Sequence, residues 1–189
     1  MQRGVYLIMK TKYGWKLFEQ DPNGNLYPLF LDKNTTYPIN EWINAEIHYG
    51  KNFAPRPGIH CGAIPSAPWL MSVDVNGEGY YKGRRKGWTR VWAYVEYNCT
   101  IDYNNVVSKL KKKCFEDKIP DNGWYFFKEY GKATWIITDK IKILKLITEE
   151  DRQCILKKAG YNEAMEFVPY RNAILKRKKI LNDSKFHNS

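Results

Sequence analysis

Residues 90–97 read Arg-Val-Trp-Ala-Tyr-Val-Glu-Tyr and predict the strongest β-strand of the chain. β-Branched and aromatic side chains fill this stretch, and these residue types suit a pleated, half-buried surface. Successive side chains of a strand point to opposite faces of its sheet. One face therefore carries Val91, Ala93, Val95 and Tyr97, and the other carries Trp92, Tyr94 and Glu96. The stretch predicts a central strand of a sheet.

Apolar and aromatic runs on either side of this stretch predict further strands. They are Val5–Ile8, Trp15–Phe18, Leu26–Leu31, Ile59–Cys61, Trp124–Phe127, Trp135–Ile137 and Ile141–Ile147. Turn-forming residues separate several of them, at Lys12–Gly14, Asp21–Asn25, Pro120–Gly123 and Gly131. Residues 40–46 are consistent with either one helical turn or a loop.

Helices are predicted at three places. Apolar residues recur at helical spacing within Asp102–Cys114. Thr148 precedes three acidic residues, a pattern typical of a capped helix N-terminus, and Gly160 is a natural helix stop. A last helix begins near Pro169. The predicted fold class is α+β: a single domain with a mostly antiparallel sheet and short flanking helices. Its core covers residues 1–160, and residues 161–189 form a basic helical C-terminal segment.

The composition is that of a folded protein without a membrane span. Of the 189 residues, 43% are hydrophobic, which is ample for a core, and no apolar run approaches the roughly 20 residues of a membrane span. The apolar stretch near the start is too short for an export signal, so a cytoplasmic location is expected. The four cysteines are then expected to be reduced thiols. No cysteine or histidine shows metal-ligand spacing, so no metal is expected.

The formal net charge of +11 favours an anionic partner, such as a nucleotide, a nucleic acid or an acidic protein surface. A basic protein that is merely soluble is the alternative. Arg84, Arg85 and Lys86 with Trp88 combine cations and an aromatic ring, which suits phosphate contacts and base stacking. A solvated loop with Trp88 packed on the body of the protein would have the same sequence. The basic run Lys176–Lys179 fits either a nucleic-acid contact or an exposed helix face.

Residues 56–70 read Arg-Pro-Gly-Ile-His-Cys-Gly-Ala-Ile-Pro-Ser-Ala-Pro-Trp-Leu and predict a ligand site. The prolines and Gly58 set a bend, and small residues at positions 62, 63 and 66 leave room for a ligand near the backbone. His60 lies in an apolar, turn-bounded segment. There it would stack on a base or a nicotinamide ring, or transfer a proton near neutral pH. A half-buried histidine that fixes the loop is the alternative.

Glu96 is the second catalytic candidate. An unpaired buried carboxylate is costly, so Glu96 either faces solvent, pairs with a cation such as Arg90, or lines a cleft. In a cleft opposite His60 it would orient a sugar hydroxyl or act as a base. Cys61 adjoins His60 along a strand and would point to the opposite face, which argues against a nucleophile pair between them.

Three blocks of the sequence, in their order, resemble a phage- and prophage-encoded domain of unknown function. They are Gly58-Ile59-His60-Cys61, then Val91–Glu96, then Ile141–Leu144 followed by an acidic helix start. The resemblance covers roughly residues 15 to 155. It implies the host cytoplasm as the location and brings no known activity.

Residues 58–62, Gly-Ile-His-Cys-Gly, with Ser66 also resemble the second conserved block of ADP-ribosyltransferases of the poly-ADP-ribose polymerase type. The resemblance implies an NAD cofactor in a pocket lined by Gly58 and Gly62. His60 would stand in the place of the family's nicotinamide-stacking tyrosine, and Ser66 in that of its helix-start serine. The family's first block, H-G-T/S, is absent, and no motif assigns a catalytic glutamate.

Two functions are therefore predicted. The first is a phage-associated nucleotide- or NAD-binding ADP-ribosyltransferase-like domain, either catalytic or a non-catalytic member. In it Arg56 would contact phosphate, and Glu96 would be the polar partner of the ribose. The second is a non-enzymatic basic protein that binds nucleic acid or a host protein, for example a defence-countering or virion-associated factor.

Overall fold

The computed structural model describes residues 8–29, 34–48, 56–67, 87–111, 114–127 and 134–163. Nine strands within these ranges form one sheet. They are β1 (Thr11–Gln20), β2 (Leu26–Tyr27), β3 (Trp42–Asn44), β4 (Ile59–Gly62), β5 (Thr89–Asn98), β6 (Ile101–Asp102), β7 (Gly123–Phe127), β8 (Trp135–Thr138) and β9 (Lys140–Ile147). The helices of these ranges are α1 (Asn104–Val107) and α2 (Glu149–Lys158). The predicted mostly antiparallel sheet is confirmed, since β6–β7 is the parallel pair among the paired strands described.

The strands lie side by side in the order β3-β9-β5-β1-β4-β8-β7-β6, and β2 pairs with the end of β1. The strand predicted at residues 90–97 is confirmed as β5. It pairs with β1 along its whole length, from Asn98 opposite Thr11 to Thr89 opposite Gln20. On its other side β5 pairs with β9, with an irregularity between Tyr94 and Val95. The long β1–β5 pair is therefore the scaffold on which the other strands are placed.

The two faces of the sheet differ in the side chains that they carry. The inner face carries the main core, with buried Phe18, Leu26, Ile59, Cys61, Ala93, Val95, Tyr97, Trp124, Ile136, Ile141 and Ile143. The predicted alternation of β5 is confirmed, because alternate residues from Ala93 onwards enter this core. The opposite, outer face carries two smaller clusters, one around Leu17 and Trp92 and one around Tyr125 and Ile137.

The sheet curls strongly around the inner face. β5 and β6 are third and eighth in the strand order, so a flat sheet would hold them about 24 Å apart. Cys99 and Thr100 alone join the two strands, and that connection spans at most about 11 Å. Contacts across the inside agree: the rings of Tyr97 and Trp124 lie 6.0 Å apart, and Asn98 Nδ2 donates to Asp139 Oδ1 at 2.9 Å. Strands from both halves of the sheet therefore enclose the core.

Helix α2 begins and ends where the sequence predicts. Thr148 Oγ1 accepts a hydrogen bond from the backbone N–H of Asp151 at 3.1 Å, which satisfies an otherwise free amide of the first turn. Three acidic residues occupy that turn, at the positive end of the helix dipole. Gly160 follows the last turn with a φ of 65°, a conformation that favours glycine.

Three local predictions were wrong. Lys12–Gly14 is not a turn, because these residues continue β1 and their backbone groups pair with β5. Within Asp102–Lys111 the helix is a single turn, Asn104–Val107, rather than the amphipathic helix predicted over residues 102–114. Val106 and Leu110 stay 48% and 36% exposed there, so no buried stripe supports a longer helix. Residues 42–44 form β3 rather than a helical turn or a loop.

Several other predictions lie outside the described residues. They are the strand from Val5 to Leu7, the Gly131 turn, and the basic C-terminal helix with the rest of the chain from residue 164. Among the helices that the structure describes, none has the length and apolar character needed to cross a membrane.

Candidate functional site

His60 lies on β4, which pairs with β1 on one side and β8 on the other. Its carbonyl oxygen accepts a hydrogen bond from Lys16 Nζ at 3.1 Å, and its ring Nε2 lies 3.1 Å from the carbonyl oxygen of Arg56. The Arg56 guanidinium lies 4.7 Å from the centre of the Phe127 ring. The structure thus brings two predicted ligand-binding residues together. The ring of half-buried His60 contacts the preceding bend at the carbonyl oxygen of Arg56.

The chain itself occupies the space beside Gly58 and Gly62. Gly58 has a φ of 127°, which favours glycine, and a Cβ there would overlap Cγ2 of Ile137. A Cβ at Gly62 would lie 2.6 Å from the carbonyl oxygen of Ile64. Gly62, which was predicted to leave room for a ligand, and Gly58, which was predicted to set a bend, therefore both make room for other atoms of this chain.

Ser66 is 1% exposed, and its hydroxyl donates to Glu163 Oε1 at 2.7 Å. Arg152 Nη1 donates to the same carboxylate oxygen at 2.9 Å and to the Pro65 carbonyl at 3.1 Å. Nε and Nη2 of Arg152 donate to both carboxylate oxygens of Glu149, at 2.7 and 2.6 Å. Ser66, Glu149, Arg152 and Glu163 are termed the arginine clasp. It ties α2 to the turn after β4, and it uses the hydroxyl that was predicted to bind a ligand.

Glu96 and His60 do not meet. Both lie on the outer face, but the register sets them two strand spacings and four residues apart, which is about 16 Å. Glu96 Oε2 instead pairs with Lys142 Nζ at 2.8 Å, whereas Arg90 lies 3.9 Å from Glu19. The hydrogen bond from Lys142 holds the pKa of the Glu96 carboxyl below its usual value. Glu96 is therefore ionised at neutral pH and pairs with a cation, which was one of the alternatives drawn from the sequence, although the cation is Lys142 rather than Arg90.

The predicted anion-binding residues are described only in part. Arg84, Arg85 and Lys86 lie outside the described residues, so their contacts stay a prediction. Trp88 packs with its ring centre 4.6 Å from that of Tyr27, tilted by 48°. This tryptophan thus packs on the body of the sheet, which was the alternative drawn from the sequence.

The outer face also carries a group of aromatic residues that sequence reasoning missed. Tyr13 and Tyr94 stack with ring centres 5.3 Å apart and planes inclined by 16°, and the Trp15 ring lies 4.8 Å from that of Tyr94. Tyr13 is 56% exposed. On β3, the Trp42 ring lies 5.0 Å from Lys142 Nζ. Tyr13, Trp15, Trp42 and Tyr94 are termed the aromatic patch.

A signal for part of the patch was present in residues 11–20. In one continuous strand Tyr13 and Trp15 share a face, because they are two residues apart. Assigning Lys12–Gly14 to a turn removed that relation. Trp42 had no comparable signal, since β3 is three residues long and is placed by its pairing with β9.

Two lysines border the aromatic patch. Lys142 lies between Glu96 and Trp42, and exposed Lys145 lies opposite Tyr94 across the β5–β9 pair. Over the described ranges as a whole, lysines and arginines are equal in number to aspartates and glutamates. The whole formal net charge of +11 is therefore contributed by residues outside those ranges.

The described residues give no positive sign of a metal or of an NAD pocket. Within them, no group of three or more histidine, cysteine, aspartate or glutamate side chains is placed to hold a metal ion. A cavity of about 280 Å³ is lined by Gly24, Asn25, Leu26, Thr36, Tyr37, Pro38 and Ile39. It contains none of the predicted site residues, so it lends no support to a cofactor beside His60.

The geometry thus gives an exposed aromatic patch on one part of the outer face and a His60 region engaged with its own chain on another. Comparison with known proteins assigns no family: the chain matches no protein-family model, no curated protein and no solved structure, and both resemblances drawn from its motifs stay predictions.

Proposed function

We propose that this protein binds single-stranded nucleic acid and that the aromatic patch stacks on its bases. The observation that carries the proposal is the exposed ring of Tyr13, stacked on Tyr94 beside Trp15. An unpaired base exposes both of its flat faces. Stacking one base on an aromatic side chain contributes about 1–3 kcal/mol, and it does so for every base type.

The patch suits this role because its rings are held in place before any ligand arrives. Tyr13 and Trp15 belong to β1, and all ten residues of that strand pair with β5. Tyr94 lies in the middle of β5, between Tyr13 and Trp15. Side chains that are already ordered lose little freedom on binding, so less entropy opposes association.

The charge distribution supports a polyanionic partner. Lys145 is exposed beside the patch, opposite Tyr94, and would contact a phosphate backbone that follows the bases. The whole positive excess belongs to the rest of the sequence, with Arg84–Lys86 and Lys176–Lys179 as its densest runs. Such an excess favours a polyanion such as nucleic acid over a neutral or cationic ligand.

The two segments that contain these runs, residues 68–86 and 164–189, leave the described part of the chain at neighbouring points. Ser66 and Ala67 precede residues 68–86, and Glu163 precedes residues 164–189. Ser66 Oγ donates to Glu163 Oε1 at 2.7 Å, so the two departure points touch. Ala67 packs in the outer-face cluster that Trp15 also contacts. Residues 68–86 and 164–189 therefore start near Trp15, whereas Arg84–Lys86 directly precede Gly87, just before β5 begins at Thr89, seven residues from Glu96, which lies opposite Tyr13.

NAD binding around His60 remains a separate prediction. Gly58, Gly62 and Ser66 contact their own chain, and Glu96 lies elsewhere on the outer face, so the described geometry supports it less well. A thermal-shift titration of the full chain with NAD and ADP-ribose tests it. A ligand that binds the folded state raises the apparent stability of the protein.

Tyr13→Ala tests the proposed function, with Phe126→Ala as its matched control. Phe126 is also a strand aromatic, 48% exposed, but it lies on the inner-face side of β7 against Trp124. We expect the full chain to bind labelled single strands of about 12 nucleotides in a fluorescence anisotropy assay. Tyr13→Ala should weaken binding by about 5- to 100-fold, and Phe126→Ala should leave it unchanged.

Tyr13→Phe keeps the ring and should retain most of the affinity. Circular dichroism melting of each variant checks that the fold is intact. A wild-type protein that binds no single strand, or a folded Tyr13→Ala variant with wild-type affinity, would contradict the proposal.

A further inference from the structure

Four side chains form a row across the outer face, at right angles to the strands. The register places Tyr13 of β1 opposite Glu96 of β5, and Glu96 opposite Lys142 of β9. Lys142 in turn lies opposite Trp42 of β3. Directly opposed residues of antiparallel strands point to the same face, so the row spans about 14 Å on one surface. An ion pair is thus flanked by an aromatic ring on each side.

The carboxylate in this row is unsuited to a phosphate contact, because two negative charges repel each other. The Glu96 side chain is 15% exposed and that of Lys142 is 27% exposed, so solvent reaches the pair. The hydrogen bond from Lys142 lowers the pKa of Glu96, and an ionised carboxylate acts only as an acceptor. An acceptor between two stacking rings is placed to meet the edge of a base that donates.

The order of polar atoms in the pair matches one base. From Lys142 Nζ to the two oxygens of Glu96, the order is donor, acceptor, acceptor, with Nζ and Oε2 2.8 Å apart. The Watson–Crick edge of guanine presents an acceptor and then two donors: O6, N1–H and the N2 amino group. Adenine has one donor beside an acceptor on that edge, and uracil has one donor between two acceptors.

We propose, resting on the nucleic-acid binding proposed above, that Glu96 and Lys142 select guanine within a single strand. The Glu96 carboxylate accepts from N1–H and N2–H, and Lys142 Nζ donates to O6. The oxygens of a carboxylate have about four acceptor positions between them, so the bonds from Lys142 and from the Thr11 side chain leave two positions for the base donors. The rings of Tyr13 and Trp42, at the two ends of the row, stack on neighbouring bases, which gives affinity without selection.

The test uses oligouridine of about 12 nucleotides with one central guanosine, inosine or adenosine. Inosine lacks only the N2 amino group, so it removes one of the two proposed donors. By fluorescence anisotropy, the guanosine strand should bind at least about fivefold tighter than the adenosine strand, with inosine between them. Glu96→Gln should abolish this preference, because glutamine presents one acceptor and one donor in place of two acceptors.

Glu150→Gln is the matched control, since Glu150 is an exposed carboxylate on α2, and it should keep the wild-type preference. Equal binding of the guanosine and adenosine strands by wild type would overturn this inference and leave the proposed function standing. A preference that survives Glu96→Gln would also overturn it. Failure of all three strands to bind would overturn the proposed function itself. The comparison of the three strands needs no variant, so it stands even where Glu96→Gln impairs folding.

Discussion

Cys61 follows His60 on β4 and points to the opposite face of the sheet, into the main core. Burial raises the pKa of its thiol to about 11, so the thiol is protonated at neutral pH and packs as a small apolar group. Lys16 reaches the same interior, where burial lowers the pKa of its amine and Nζ donates to the His60 carbonyl. The alternation seen in the sequence was therefore sufficient to exclude a nucleophile pair of His60 and Cys61.

Glu96→Gln should lower the free energy of unfolding at neutral pH by about 0.5 kcal/mol, as expected for a partly exposed ion pair. The folded-state pKa of Glu96 is depressed by the hydrogen bond from Lys142. A depressed carboxyl pKa stabilises the fold above the unfolded-state value, and this contribution is lost as the pH falls through the folded-state pKa. Urea unfolding at several pH values should show a difference at neutral pH that disappears in acid. A difference that stays constant with pH would contradict this origin.

At the scale of elements, local signals identified those strands and helices whose own residues determine them. The branched and aromatic residues of β5 and the cap of α2 at Thr148 are such signals. Gly14 led to the wrong prediction of a turn at Lys12–Gly14, because glycine is typical of turns. Here it lies within β1, where a Cβ would come within 3.2 Å of the Gly62 carbonyl oxygen on β4. That approach depends on long-range pairing, which no local pattern contains.

The aromatic patch could not be predicted from the sequence for the same reason. It requires the register of β1, β5, β9 and β3 at once, and these strands lie far apart in the sequence. By contrast, Arg56 and His60, which were both predicted to bind the same ligand, are four residues apart in the sequence and lie together in the structure. Ser66 was identified as special because it is small among apolar residues. Its partner, Glu163, follows 97 positions later, and no spacing pattern links the two.

The arginine clasp gives a prediction for α2. Arg152→Ala should lower the free energy of unfolding by about 2–3 kcal/mol, because it removes the Arg152 donor from the Pro65 carbonyl and leaves Glu163 with Ser66 as its donor but without its cationic partner. Arg152→Lys should recover less than half, since one ammonium cannot reproduce the planar fork that meets Glu149 and Glu163 together. Urea denaturation measures each value. Lys157→Ala, at an exposed position of the same helix, is the control and should change stability little. If Arg152→Ala lowers the free energy of unfolding no more than Lys157→Ala does, the assigned role of the arginine clasp is contradicted.

At the scale of the whole molecule, aromatic surface and positive charge are contributed by different parts of the chain. The described residues hold the aromatic patch and balance their formal charges, whereas the excess of +11 comes from the remaining ranges. Base stacking depends weakly on salt, and phosphate contacts depend on it strongly because each one releases counterions. The two contributions to binding can therefore be separated by varying the salt concentration.

Tyr13→Ala should weaken binding of a single strand by a similar factor at every salt concentration, so the slope of log K against log salt stays that of wild type. Replacing Arg84, Arg85 and Lys86 together by glutamine should instead flatten the slope, by about 0.7 for each phosphate contact that is lost from a single strand. Lys157→Gln is the control for charge alone, because Lys157 is exposed on α2 and should leave both affinity and slope unchanged. Anisotropy titrations across a series of salt concentrations give all four slopes.

A Tyr13→Ala slope as flat as that of the triple variant would mean that the patch contacts phosphate rather than bases. A triple variant with the wild-type slope would instead assign the phosphate contacts to other cations, with Lys142, Lys145 and Lys176–Lys179 the next to replace.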